Sequence, residues 1–89
     1  MKIIWTKHAE QRLKEWESKL HLGKEDIENI LNNPHQVVSG DLDAFVIQHK
    51  LNGGLLRIPF KYIDKNISII LTLYWTSKID KYWRNENES

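Results

Sequence analysis

The amino-acid sequence predicts an α+β domain in which two N-terminal helices pack on one face of a three- to four-stranded antiparallel sheet. Apolar residues recur at spacings of three and four within residues 9–31, which is typical of helices with one buried stripe. The dipeptide Asn52-Gly53 separates two apolar runs and is the strongest short signal for a β-hairpin. Apolar and polar residues then alternate from Leu55 to Trp75, which indicates strands with one buried face. Helices that precede a run of strands favour an α+β arrangement.

The length of 89 residues indicates one domain, which we expect to span residues 1–84 and to be followed by a disordered polar tail at residues 85–89. The absence of cysteine excludes a disulfide framework and a thiolate zinc site. No apolar run approaches the roughly 20 residues that span a bilayer, and the N-terminal apolar stretch is too short for a signal peptide. We therefore expect a cytoplasmic protein with no membrane contact.

The two helices have recognisable starts and stops. Residues 1–5 form a short edge strand or a lead-in, and Thr6 is the expected N-cap of a helix that runs to about Lys19. The second helix is expected at residues 24–33, where acids occupy the first turns and Pro34 ends it. The positions that repeat along the buried stripes are Ala9, Leu13, Trp16, Leu20, Ile27, Ile30 and Leu31.

The hairpins define two faces of the sheet. After a short strand at Val37 and Val38, the Asn52-Gly53 turn sets Phe45 opposite Phe60, and a second turn at residues 63–66 sets Tyr62 opposite Ile67. The expected core face consists of Phe45, Ile47, Leu56, Ile58, Phe60, Ile67, Ile69, Leu71, Leu73 and Trp75. The expected opposite face is mixed and basic, and consists of Val46, Gln48, Lys50, Arg57, Pro59, Lys61, Ser68, Ile70, Thr72, Tyr74 and Thr76.

Pro59 conflicts with a regular central strand, because proline lacks the N–H group that a ladder requires. We expect a bulge or a missing hydrogen bond at this position, or a strand order more complex than a simple meander.

Charge is distributed unevenly along the chain. Residues 1–43 hold six Lys or Arg and eight Asp or Glu, for a formal charge of −2, whereas residues 44–84 hold seven and two, for +5. The sheet and its C-terminal extension therefore form a basic half that attracts polyanions, although the net charge is only +1.

Several short motifs occur in a fixed order along the chain: Thr6-Lys7-His8-Ala9 followed by Arg12, Asn33-Pro34, Leu55-Leu56-Arg57, Thr72-Leu73-Tyr74-Trp75-Thr76-Ser77-Lys78 and Lys81-Tyr82-Trp83. Together they resemble a small bacterial family related to the RelE/ParE toxins of toxin–antitoxin modules, over the chain up to about Trp83. The resemblance implies two N-terminal helices against a curved antiparallel sheet, and a cognate antitoxin as a partner. RelE-like proteins cleave mRNA, usually on the ribosome, whereas ParE-like proteins inhibit DNA gyrase.

The resemblance and the chemistry of the residues together define a candidate ribonuclease site. The resemblance implies that Arg57 is a sheet arginine of the site and that Lys78, Lys81 and Tyr82 are its C-terminal residues. Arg57 would hold the phosphate with its guanidinium fork, and His8 would act as acid or base because histidine titrates near neutral pH. The expected reaction is metal-independent phosphoryl transfer, which leaves a 2′,3′-cyclic phosphate. The expected substrate-binding residues are Arg12, Lys50, Lys61, Tyr74 and Trp83.

Less specific interpretations account for the same residues. Arg12 pairs with Glu15 on a solvated helix flank, or Arg57 pairs with Asp43 or Asp64. The lysines of the C-terminal segment are then ordinary surface charges, and the tryptophans are packing residues.

Alternative functions also remain. In the first alternative the domain is a non-enzymatic binding module, which acts as a ParE-like gyrase inhibitor or docks an antitoxin or another protein. In the second it is an orphan domain that has lost toxicity. Four scattered histidines indicate neither a metal site nor a cofactor.

Overall fold

Six strands and three helices make up the computed structural model, which describes residues 2–85. The elements in chain order are β1 (Lys2–Trp5), α1 (Lys7–Leu20), α2 (Lys24–Asn32), β2 (Gln36–Ser39), β3 (Phe45–Leu51), β4 (Gly54–Asp64), β5 (Ile67–Ile70), β6 (Tyr74–Thr76) and α3 (Ile79–Tyr82). Apart from Asn85, the predicted disordered tail lies outside the described residues.

The strands form one mixed sheet of order β1-β5-β4-β3-β2, and β6 pairs with β4 beyond the end of β5. The α+β class is confirmed, but the predicted sheet of three to four antiparallel strands is wrong. β1 joins the sheet and runs parallel to β5, with Lys2 opposite Ile67 and Trp5 opposite Ile70. This parallel pair is possible because the chain between β1 and β5 contains both long helices and three strands, which is ample for a crossover.

The helix starts depend on local hydrogen bonds. The Thr6 hydroxyl accepts a hydrogen bond from the Ala9 N–H at 3.0 Å and donates one to the Ile70 carbonyl at 2.9 Å, so it caps α1 and ties it to β5. The Asp26 carboxylate accepts from the Gly23 N–H at 2.8 Å and caps α2. The predicted N-cap at Thr6 and both helices are therefore confirmed, to within one residue at their ends.

The hydrophobic core lies between the two long helices and one face of the sheet. Its helical members are Ala9, Leu13, Leu20, Ile27, Ile30 and Leu31. Its sheet members are Ile47, Leu56, Ile58, Phe60, Ile70 and Leu73. The two long helices therefore cover this face of the sheet and leave its opposite face, which includes Arg57, on the other side.

The first hairpin has the predicted register. Leu51 lies opposite Gly54 and Phe45 lies opposite Phe60. Asn52 and Gly53 both have positive φ values, 50° and 77°, as a type I′ turn requires.

The predicted register of the second hairpin is wrong by one residue. Tyr62 lies opposite Ser68 rather than Ile67, because a bulge between Tyr62 and Asp64 accommodates an extra residue on β4. The shift turns Ile70 into the core and Ile69 to the opposite face, where it pairs with Lys61. Ser68, predicted on the opposite face with Ile70, is instead fully buried on the helix side.

The sheet is interrupted opposite Pro59. Its carbonyl accepts a hydrogen bond from the Leu71 N–H at 2.9 Å, but residues 71–73 form no strand. The pairs Phe60–Ile70 and Arg57–Tyr74 enclose residues 71–73 on one side but only two β4 residues, Ile58 and Pro59, on the other. The extra residue turns Leu73 back into the core, so the irregularity expected at Pro59 is present.

His35 and His49 stack next to the β2–β3 pair, with ring centroids 3.7 Å apart. The His35 Nδ1 atom accepts a hydrogen bond from the Lys50 N–H at 3.1 Å, whereas the His49 Nδ1 atom is buried without a partner. Burial, with a smaller contribution from His35, lowers the pKa of His49 below its ordinary value of 6.5.

Replacing Gly54 with alanine is expected to destabilise the domain. A Cβ atom there would lie against the Thr76 carbonyl oxygen and 2.5 Å from the Trp75 ring, so β6 would have to move. We expect the free energy of unfolding in urea to fall by about 2 kcal/mol or more. Gly23→Ala is the control, because its nearest neighbour would be the Asp26 carboxylate at 3.8 Å. Equal stability of both variants would contradict this packing.

The stability of the domain should decrease in acid through His49. Because the folded state lowers its pKa below 6.5, this histidine binds a proton more readily when the chain is unfolded. The contribution of His49 to the free energy of unfolding is therefore complete above about pH 6.5 and decreases as the pH falls below that value. Urea unfolding between pH 5 and 8 should show a shallower dependence for His49→Gln than for wild type. His8→Gln, at an exposed position, should retain the wild-type profile, and an unchanged slope in His49→Gln would contradict the assignment.

Candidate functional site

The sheet face opposite the two long helices, called the second face, is partly covered by the C-terminal segment, residues 77–85. The second face carries Val46, Gln48, Lys50, Leu55, Arg57, Pro59, Lys61, Ile69, Tyr74 and Thr76. Gln48 and Leu55 are fully buried although neither belongs to the core under the helices. The second face is therefore a small polar and apolar interior of its own, with Arg57 near its centre.

Arg57 is held by one hydrogen bond from each of two nitrogens and by aromatic rings. Its Nε atom donates to the Gln48 Oε1 atom at 2.8 Å, and its Nη1 atom donates to the Tyr74 hydroxyl. The guanidinium carbon lies 4.1 Å from the centroid of the Tyr82 ring and 5.6 Å from that of Tyr74. These contacts fix the plane of the guanidinium group before any ligand arrives.

Among residues 2–85, no carboxylate pairs with the positive charge of Arg57. Within residues 2–85 the ion pairs join Arg12 to Glu15 and Lys24 to Glu10, so neither Asp43 nor Asp64 neutralises Arg57. The hydrogen bonds of Arg57 use Nε and Nη1 and have neutral acceptors, which leaves the Nη2 donors for another group. A half-buried cation in this state favours the binding of an anion.

A cleft of about 470 Å³ opens beside Arg57. Arg57 and Tyr74 line it together with Pro59, Thr72 and the loop at residues 39–41. The break in the sheet opposite Pro59 forms part of this lining, because Leu71 and Thr72 leave the strand there. The cleft is large enough for a phosphate group and part of a nucleotide next to the guanidinium.

Two glutamines hold the C-terminal segment on the second face. The Gln48 Nε2 atom donates to the Tyr82 carbonyl at 3.0 Å and to the Gln36 Oε1 atom at 2.8 Å. Gln36 in turn donates to the Arg84 carbonyl and accepts from the Arg84 N–H at 3.0 Å. Gln48 therefore connects Arg57, β2 and the C-terminal segment through one buried amide.

Sequence reasoning placed Gln48 on the correct face but did not identify either glutamine as part of the site. The available signal was Gln48 in the middle of the predicted strand from Phe45 to Leu51, where burial requires hydrogen-bond partners; Gln36 begins its strand and has no comparable signal. The identity of those partners depends on where residues 82–84 dock, and no local pattern encodes this.

The structure separates His8 and Arg12 from Arg57. Both are exposed on α1, which packs against the helix side of the sheet, whereas Arg57 faces the other side. The Arg12 guanidinium donates a hydrogen bond to the Glu15 carboxylate at 2.9 Å. This contact is the one expected if Arg12 belongs to a solvated helix flank. The predicted grouping of a histidine acid or base with Arg57 is therefore absent from the structure.

The C-terminal residues of the predicted site do lie near Arg57. Tyr82 stacks on the guanidinium, and the Lys81 ammonium lies 5.2 Å from the same ring. The Lys50 ammonium lies 4.3 Å from the Trp83 ring, so Trp83 packs on a cation of β3. Of the other two predicted lysines, Lys61 is half-buried on β4 and Lys78 is exposed just before α3.

Metal-assisted chemistry has no obvious ligand set in the part of the chain described. No group of three or more His, Asp or Glu side chains within residues 2–85 is placed to hold a metal ion. None of the helices described there is long and apolar enough to cross a bilayer.

Comparison of the chain with protein-family models, with curated proteins and with solved structures gave no significant match. A functional assignment therefore depends on the geometry and charge of the second face.

Proposed function

We propose that this protein binds single-stranded RNA on the second face, with a phosphate group held by Arg57, and acts as the toxin of a bacterial toxin–antitoxin module. The observation that carries the RNA-binding part is the guanidinium of Arg57, which no carboxylate within residues 2–85 neutralises and which Gln48 and Tyr74 orient at the edge of a cleft. The toxin part is supported by the sequence motifs that resemble RelE/ParE-related proteins.

The surroundings of Arg57 suit an RNA strand better than a small anion alone. The C-terminal half of the chain is basic, and two of its lysines, Lys50 and Lys81, each lie against an aromatic ring. Alternating cations and rings are the elements that bind successive phosphates and bases of a single strand. The open cleft provides access without a conformational change of the sheet.

Cleavage of the bound RNA is a second candidate function, and it is favoured by the Tyr74 hydroxyl. The oxygen of this hydroxyl accepts from Arg57, so its own hydrogen is available to a ligand in the cleft. In this mechanism the 2′-hydroxyl loses its proton to water and attacks phosphorus, and Arg57 stabilises the phosphorane. Tyr74 then donates its proton to the 5′-oxygen as the phosphorus–oxygen bond breaks. The products are a 2′,3′-cyclic phosphate and a 5′-hydroxyl end.

Binding of RNA should depend on Arg57 more than on charge alone. The probe is a fluorescently labelled single strand of about ten nucleotides, a length that suits one small domain. Arg57→Ala should weaken binding at least about tenfold, because it removes charge-assisted hydrogen bonds. Arg57→Lys, which keeps the charge but loses the fork, should also bind more weakly than wild type.

Lys61→Ala is the matched control for this titration. Lys61 lies on the same strand and the same face as Arg57, and its replacement by alanine removes the same charge. It should change the affinity about threefold or less and lower the salt dependence. Circular dichroism verifies that each variant is folded. Equal losses in Arg57→Ala and Lys61→Ala would show that affinity follows net charge, and would contradict a phosphate site at Arg57.

Expression in a bacterial host tests the toxin assignment. Wild type should arrest growth and stop protein synthesis, and Arg57→Ala should relieve both effects. If the domain cleaves RNA, cells that express wild type should accumulate RNA with 5′-hydroxyl ends, and Tyr74→Phe should reduce them. Growth arrest with continued translation would contradict an RNA target and favour a gyrase-like one. Unaffected growth would contradict the toxin assignment.

A further inference from the structure

Within residues 2–85, main-chain groups at the outer edge of β2 have no hydrogen-bond partner. In the antiparallel ladder Val38 lies opposite Val46 and Val37 lies opposite Ile47. Two residues after Val38, the Gly40 N–H donates to the Ala44 carbonyl at 2.8 Å, which continues the same register. Because bonded pairs alternate in an antiparallel ladder, Val38 bonds to β3, and the N–H and C=O groups of Val37 and Ser39 point outward.

Apart from the short length of β2, which is four residues, this edge lacks the features that usually prevent strands from pairing. No Lys, Arg, Asp or Glu occurs in residues 35–40, and no bulge interrupts β2. The Val37 side chain is 45% exposed at the edge. Natural sheets commonly protect such an edge with lysine, proline or a bulge, so an unprotected edge indicates a partner strand.

We propose that two copies of this chain associate by antiparallel pairing of their β2 strands about a two-fold axis at Val38. In this register Val37 lies opposite Ser39 of the partner subunit, and the two residues exchange their main-chain hydrogen bonds. The symmetry repeats the same exchange on the other side of the axis. The outward groups of β2 are therefore self-complementary, and the two sheets become one continuous sheet.

Charge complementarity at the ends of β2 favours a second copy over an unrelated strand. Gln36 lies opposite Gly40 of the partner subunit in this register, which places Asp41 of the partner subunit next to it. Arg84 is bound to Gln36 by its own main chain and lines the groove along β2. Each end of the paired strands therefore brings one Arg84 close to one aspartate. The pair is present twice because of the two-fold axis.

The position of these charges in one chain supports the same conclusion. Asp41 and Arg84 are both exposed, and within residues 2–85 neither forms an ion pair. Arg84 is bound to Gln36 at the start of β2, and Asp41 follows the end of β2, so antiparallel self-pairing brings the two ends together. The dimer shares Ser39 and Asp41 with the lining of the cleft, but its main-chain pairing does not use Arg57, so loss of RNA binding in Arg57→Ala would leave it intact.

Sedimentation equilibrium of the full chain tests the dimer between about 10 and 500 µM at low salt, since an interface of one strand pair is small and weak. Wild type should shift from monomer to dimer across this range. Ser39→Pro should weaken the dimer at least about tenfold, because it removes an outward N–H group that β3 does not use. Val37→Lys, which places a charge on the same edge, should act in the same way.

Charge reversal tests the register. Arg84→Asp and Asp41→Arg should each weaken the dimer, and the double variant should recover most of the wild-type affinity. Circular dichroism and urea unfolding verify that the variants remain folded. A wild-type chain that is monomeric at 500 µM, or a Ser39→Pro variant that dimerises like wild type, would overturn the proposal. Failure of the double variant to recover affinity would overturn the register about Val38.

Discussion

The missing N–H group of Pro59 is the constraint on which the second face depends. β4 is the long central strand, and it pairs with β3 along one edge and with β5 and then β6 along the other. Where Pro59 cannot donate, the neighbouring chain leaves the ladder for residues 71–73 and re-enters it with one additional residue. The re-entry turns Leu73 into the core and places Tyr74 beside Arg57. An irregular ladder thus generates both the cleft and the aromatic partner of the arginine.

On the second face, Arg57 is partly buried and forms no ion pair with the part of the chain described. Gln48 accepts from Arg57 and donates to Gln36 and Tyr82, so its amide is satisfied on both sides. Such a network is stable only when every member has a partner, since an unpaired buried polar group costs about 1–3 kcal/mol. The neutral character of the network preserves the charge of Arg57. A carboxylate in the place of Gln48 would have neutralised it.

The candidate site could be predicted in part. An arginine and a tyrosine on the same face of paired strands, together with a basic aromatic C-terminal segment, are visible in the sequence, and the structure places Arg57, Tyr74 and Tyr82 together. His8 was grouped with them by its chemistry alone. Its helix packs on the other face of the sheet, so residue type without topology led to the wrong neighbour.

The sequence by itself determined the elements whose causes are local. Thr6 caps α1, the acids and Pro34 delimit α2, and Asn52-Gly53 sets the first hairpin, because each depends on backbone angles or hydrogen bonds within a few residues. Residues distant in the chain decided the rest. Pairing of β1 with β5 made the sheet mixed, and a bulge after Tyr62 reversed the faces of β5. A one-residue shift inverts every side chain of a strand. The predicted register buries Ile67 and Ile69, whereas the observed one buries Ser68 and Ile70, so tertiary packing rather than the local apolar pattern chose between them.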